Sequence, residues 1–181
     1  RGALLNGLIT KLPGADLSSL SVQVDSGAVK TLLVLHEDLT QLGLSEAQLK
    51  TVQIVYLGAF ANAVSQVAQV VIPSLSVFEK AGSFVNQNFR LQKFAPAVPG
   101  PRGLVAELGV LAMMEANLLG ESAQAPTIEQ VWSRMGEGEG AFAGLAWQKI
   151  PDEGLKLEAD SLAQLDFVES KNLKYDPATP E

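Results

Sequence analysis

Three short runs of almost unbroken apolar, β-prone residues set the tightest limit on what this chain can become. They are Val29-Lys30-Thr31-Leu32-Leu33-Val34-Leu35, Val52-Gln53-Ile54-Val55-Tyr56-Leu57 and Val70-Val71-Ile72-Pro73. A strand with one wet face alternates apolar and polar residues; a run without alternation belongs to a strand covered on both faces, as in parallel sheets. The segments between the runs suit helices. In Leu44-Ser45-Glu46-Ala47-Gln48-Leu49, Ser45 is placed as an N-cap with Gln48 three positions on, so that each side chain satisfies an amide of the first turn, and Leu44 and Leu49 fit the accompanying staple. Small residues at 59–68 are compatible with a second helix. Strand, helix, strand, helix, strand is the signature of a parallel βαβαβ unit, with the first run expected as a central strand.

Beyond Pro73 the pattern changes. Phe84-Val85-Asn86-Gln87-Asn88-Phe89-Arg90-Leu91-Gln92 mixes β-prone and polar residues and reads as an extended arm. Pro96, Pro99, Gly100 and Pro101 break the chain, after which Leu104, Leu108 and Leu111 recur at helical spacing in a segment apolar enough to be largely buried. Thr127 with Gln130 makes a second capping box, and Ile128, Val131, Trp132 and Met135 share one face of the helix it opens. Before the first strand, Gly2, Gly7, Pro13, Gly14 and Gly27 punctuate a lead-in expected to be loop-rich, and the prolines of 176–181 suggest a frayed end.

Composition removes several classes of function. A net charge of −7 and a pI near 4.7 oppose a nucleic-acid partner, because binding the phosphate backbone relies on clustered Lys and Arg. No cysteine is present, so this segment holds no disulfide, thiolate nucleophile, cysteine-ligated zinc or iron–sulfur cluster. His36 is the single histidine. No apolar stretch reaches the ~20 residues a membrane span requires.

The candidate sites are few, and each has a bland counterpart. His36-Glu37-Asp38 follows the first strand, where open α/β sheets place ligand crevices, and a histidine with two carboxylates suits a divalent metal or a base; the same residues suit a solvated loop. Gly136-Glu137-Gly138-Glu139-Gly140 lacks the Lys-Ser/Thr ending of a phosphate loop, and its carboxylates repel phosphate, so it reads as the end of a helix. Asn86 and Arg90 can hold a phosphate or a purine edge, or Asn86 can bond the backbone of a turn. Trp132 and Trp147 read as core or interface anchors.

One stretch carries a family resemblance. Val70-Val71-Ile72-Pro73, then Phe78-Glu79-Lys80-Ala81-Gly82-Ser83-Phe84-Val85-Asn86, then Arg90-Leu91-Gln92 resembles the succession V-V-L-P, E-K-x-G-T-F-x-N, E-G-R-V-Q of molybdopterin oxidoreductases, with Gln87-Asn88-Phe89 where members often carry Glu-Gly before the arginine. The helix at 127–135 followed by Ala141-Phe142-Ala143-Gly144-Leu145 is similar to the P-A-F-A-G-L region near the carboxyl end of the large iron–sulfur subunit of NADH-quinone oxidoreductase (complex I), and Arg1-Gly2-Ala3 is similar to an N-x-R-G-A segment of the same family.

The resemblance implies an α/β, Rossmann-like open sheet with mainly parallel strands and flanking helices. A lead-in at 1–28, an α/β domain at 29–154 and a tail at 155–181 follow from it. It also implies a scaffold domain with no catalytic residue, metal or cofactor of its own, in a subunit whose iron–sulfur clusters lie elsewhere on the polypeptide. The partners would be other domains and subunits of the NADH-quinone oxidoreductase, and the location cytoplasmic, peripheral to the inner membrane through the complex. The alternative is a piece of a formate dehydrogenase-like enzyme in which Glu37, Asp38, Asn86 and Arg90 line the pterin dinucleotide pocket. Pterin enzymes commonly hold the nucleotide with a G-E-N-P loop after the corresponding strand; this chain reads Leu35-His36-Glu37-Asp38-Leu39 there. A stand-alone interaction module with an exposed apolar surface is the third reading.

Overall fold

The computed structural model describes residues 2–6, 8, 18–86, 88–122, 124–138 and 140–157. The lead-in contains two helices, α1 (Gly2–Leu5) and α2 (Ser18–Asp25), where loops were expected. No glycine or proline interrupts 18–25, and Val24 drops into the core, which is enough to hold a short helix in a segment whose punctuation lies to either side.

The parallel unit forms as the sequence indicates. Strand β1 (Thr31–Leu35) is followed by α3 (Glu46–Leu49), β2 (Gln53–Gly58), α4 (Ala63–Val67) and β3 (Val70–Pro73). The order in space is β1-β2-β3, with Leu33 beside Val55 and Val70, and Leu35 beside Leu57 and Ile72. β1 therefore lies at an edge and β2 in the centre, a correction to the expected order. Hydrophobicity marks a strand as buried but carries nothing about the side on which its successor pairs.

Local signals set the connections. The Ser45 hydroxyl accepts from the amide of Gln48 while the Gln48 side chain accepts from the amide of Ser45, the reciprocal box read from sequence, and Asn62 with Ser65 opens α4 in the same way. Leu44 and Leu49 are buried with Val24, Val34, Val52, Ile54, Tyr56 and Val64 in a first core on one face of the sheet.

A turn of 3-10 helix at Val77–Glu79 leads to β4 (Gly82–Val85) and β5 (Arg90–Phe94), which pair antiparallel; β6 (Leu155–Lys156) joins β5 on its other side. The expected extended arm is thus a hairpin. Its bend comes from Asn86, whose Oδ1 accepts from the amides of Asn88 and Arg90, and from Phe89, which is in the left-handed region at φ 55. A side chain rarely takes that conformation, and glycine does so freely. This accounts for the glycine that the resembling pattern carries before the arginine. Here Phe89 takes its place and packs its ring against the second core.

Two longer helices complete the described fold, α5 (Glu107–Leu119) and α6 (Ile128–Glu137). The Thr127–Gln130 box is present, and Trp132 on the face of α6 predicted from spacing is buried with Leu91, Phe142, Ile150 and Leu157 in the second core. α6 ends at Glu137, inside the glycine-rich stretch read as a helix stop. Helix α5 departs from expectation: only Val110 and Ala116 are buried, while Met113, Leu118 and Leu119 are exposed. The first residues of the expected tail, Leu155 and Lys156, belong to the antiparallel sheet, and the frayed end read at 176–181 lies outside the described residues.

Candidate functional site

The carboxyl ends of the parallel strands gather a polar cluster. His36 is the first residue after β1, in the left-handed region at φ 60, and its amide extends the ladder by donating to the carbonyl of Leu57 at 2.7 Å. Its Nδ1 accepts from the amide of Ala59 at 3.4 Å. That assigns the ring proton to Nε2, which faces the Glu107 carboxylate and lies 3.3 Å from Ser74 Oγ. Ser74, buried just after β3, donates to Glu107 Oε1 at 2.9 Å, and Lys80 Nζ donates to the same oxygen at 2.7 Å. Glu107 reaches the cluster from the first turn of α5.

Burial alone would raise the pKa of Glu107. The Lys80 ammonium, the residue's own backbone amide, His36 and Ser74 more than offset it and hold the carboxyl at about 2, against 4.5 ordinarily. The sign follows. A depressed folded-state pKa contributes stability that is fully present above pH 4.5 and is lost as pH falls toward 2. Glu107→Gln should therefore lower stability at pH 7 by about 2 kcal/mol, a figure reduced from ~1.4 per pKa unit because the cluster is partly open to water. The gap from wild type should close as urea melts are repeated down to pH 2.5. Curves that stay parallel from pH 7 to 2.5 would remove the cluster as a source of stability.

The neighbouring carboxylates do other work. Asp38 Oδ1 accepts from the amide and hydroxyl of Thr40 at 3.1 and 2.6 Å, closing the loop after β1. The Glu37 carbonyl accepts from Asn62 Nδ2, which also donates to the Tyr56 hydroxyl, itself a donor to the carbonyl of Phe60 at 2.9 Å. Burial first, and then the charge of Asp38, raise the Tyr56 pKa. His36, Glu37 and Asp38 do not converge on one point, and no group of three or more potential metal ligands occurs among the described residues.

Asn86 and Arg90 lie in the other sheet. Besides the two amides it accepts, Asn86 donates its own amide to the carbonyl of Arg90 at 3.0 Å, and Arg90 Nη1 donates to the carbonyls of Gly154 and Glu153 at 2.9 and 3.3 Å. The pair fastens β4, β5 and the approach to β6. Glu79, from the same motif, accepts from the amide of Ser76 at 2.8 Å. Trp132 and Trp147 pack in the second core with ring centroids 6.5 Å apart. Sequence reasoning noticed His36 but missed its partners Ser74 and Glu107, and Lys80 as the partner of Glu107; an acidic residue opening α5 was the one available hint, and 71 residues separate it from His36.

A parallel sheet with a polar cluster at its carboxyl edge, followed in sequence by a small antiparallel sheet, defines a mixed α/β architecture with flanking helices. The family model for molybdopterin oxidoreductases matches residues 3–104, more than half of the chain, and the chain belongs to that family. It is also 31% identical over 97 residues to the F420-dependent formate dehydrogenase 1 subunit alpha of Methanococcus maripaludis, an alignment covering 53% of this chain and 14% of that protein.

The candidates named from sequence offer the phosphates of a pterin dinucleotide no cation without a partner of its own. Glu37 and Asp38 leave the carboxyl edge acidic, because the charges of Lys80 and Glu107 cancel in their ion pair. Arg90 and Asn86 are occupied in the hairpin.

Proposed function

We propose that this chain is a scaffold domain in a redox subunit of the formate dehydrogenase type. The observation that carries the reading is the 31% identity with a formate dehydrogenase alpha subunit, alongside a family match that takes in the whole parallel sheet and the β4–β5 hairpin. In this reading the domain supplies shape: the first core fixes the sheet, and the His36–Ser74–Lys80–Glu107 cluster ties α5 to its carboxyl edge. Substrate and cofactor chemistry belong to other parts of the subunit.

A second reading, the large iron–sulfur subunit of NADH-quinone oxidoreductase, is favoured by the charge of that edge. A subunit without a pterin needs no phosphate-binding cations there, and the acidic edge costs it nothing. Its partners would be the other subunits of the complex, on the cytoplasmic side of the inner membrane.

Metal and pterin analysis of the full-length protein, purified without oxygen, separates the two. Molybdenum or tungsten with a fluorescent oxidised pterin, in proportion to protein, supports the formate dehydrogenase type. Iron alone moves the assignment to the NADH-quinone oxidoreductase. A protein with none of these overturns both. Combining Asn86→Ala with Arg90→Ala is a poor substitute for this measurement, because both side chains hold the hairpin and their loss unsettles the fold before it can report on a ligand.

A further inference from the structure

The cluster at the carboxyl edge has the composition of an anion site whose occupant is supplied by the chain itself. Three donors from three stretches of chain converge on one oxygen, Glu107 Oε1: the Ser74 hydroxyl at 2.9 Å, the Lys80 ammonium at 2.7 Å and His36 Nε2. Ser74 is 3% exposed, so its hydroxyl needs an acceptor inside the protein. All three donors belong to the sheet and the turn that follows it, whereas the carboxylate is brought to them by the first turn of α5, 27 residues beyond Lys80. Among the described residues, α5 has little else to hold it. Of its side chains only Val110 and Ala116 are buried, and an open cleft of about 670 Å³, lined by Glu115 and Leu119 of α5 and by Ser133 and Arg134 of α6, lies between the two helices. A backbone bridge between Ser74 and Val105 secures the chain up to the start of α5 but not the helix beyond.

We propose that His36, Ser74 and Lys80 form a binding site for a small monocarboxylate, and that Glu107 is an internal ligand which such an anion displaces, freeing α5 from the edge of the sheet. Charge selects the ligand class. Without Glu107 the three donors bring one formal positive charge, that of Lys80, and the loop carrying Glu37 and Asp38 starts beside His36. One negative charge is balanced there, while the second charge of a phosphate or sulfate meets two carboxylates nearby. A carboxylate also has the shape of the group it replaces. The site does not depend on which of the two redox subunits the chain belongs to.

Acetate is the probe, applied to the full-length protein at pH 7 and constant ionic strength, with amide hydrogen exchange read peptide by peptide. In the wild type, saturating acetate should speed exchange across 107–119 at least about threefold relative to the same concentration of chloride. In Glu107→Ala, which empties the site, acetate should instead slow exchange across 74–80 at least about threefold and in a saturable way, as a ligand that binds only the folded site must. Adding Lys80→Met to that variant should abolish the protection; it removes the cation together with its carboxylate, so no charge is left unpaired. The wild-type measurement needs no substitution and stands if Glu107→Ala fails to fold. Equal exchange in acetate and chloride in the wild type would overturn the displacement and leave Glu107 a fixed structural tie. Absence of protection in a folded Glu107→Ala, protection that survives Lys80→Met, or stronger protection by phosphate than by acetate would overturn the monocarboxylate site.

Discussion

Gly136→Ala should destabilise the chain by about 3 kcal/mol or more, placing it among the most damaging single-methyl additions available in the fold. A Cβ at this position would lie 2.2 Å from the carbonyl oxygen of Leu145, and the obstacle is backbone rather than a side chain free to swing away. The same close approach lets the Gly144 amide donate to the Gly136 carbonyl at 2.8 Å, so the displacement that relieves the clash also breaks a hydrogen bond. Gly138→Ala is the matched control. Its nearest contact would be 3.4 Å from the Met135 carbonyl, a distance a small shift absorbs. Urea unfolding of the three proteins should give a midpoint far below wild type for the first substitution and within about 0.5 kcal/mol for the second. Equal losses would mean that the glycines serve only to end α6.

That contrast shows what sequence could and could not supply. Gly136 to Gly140 was readable as a helix stop because the signal is local, and the helix does end there, but the reason position 136 tolerates no Cβ lies nine residues away in the loop that folds back on it. The capping boxes at Ser45 and Thr127 and the three parallel strands were legible on the same principle, since each depends on residues within one turn or one run. Features that depend on distant partners were not. Nothing in Leu32-Leu33-Val34 tells whether β1 lies at the centre or the edge, and nothing near His36 points to Glu107.

The hairpin was missed for a different reason. Its left-handed residue is Phe89, where a glycine would have announced the turn, and the energy that holds a phenylalanine there comes from the second core rather than from the local backbone. Burial of α5 was overestimated because its apolar content is a property of the sequence, whereas the surface that covers it must come from a neighbour.

Trp132→Ala should remove about 3–5 kcal/mol, a large fraction of the 5–15 kcal/mol typical of a whole domain. The indole is buried between Phe142, edge-on at 5.6 Å, and Trp147 at 6.5 Å, with Leu91, Ile150 and Leu157 completing the cluster. These residues come from α6, the loop after it, β5 and the residues around β6, so one side chain packs where four stretches of chain meet. Trp132→Phe keeps an aromatic ring and should recover more than half of the loss. The two cores make the result directional. Near-ultraviolet circular dichroism should lose the tryptophan bands, while Tyr56, buried in the first core, keeps its own signal if the parallel unit stands without the second. A midpoint within about 0.5 kcal/mol of wild type would show that Trp132 is not the anchor of the second core. Loss of both signals together would show that the parallel sheet depends on that core, with the His36–Glu107–Lys80 tie and the β3–β4 connection as the routes of the coupling.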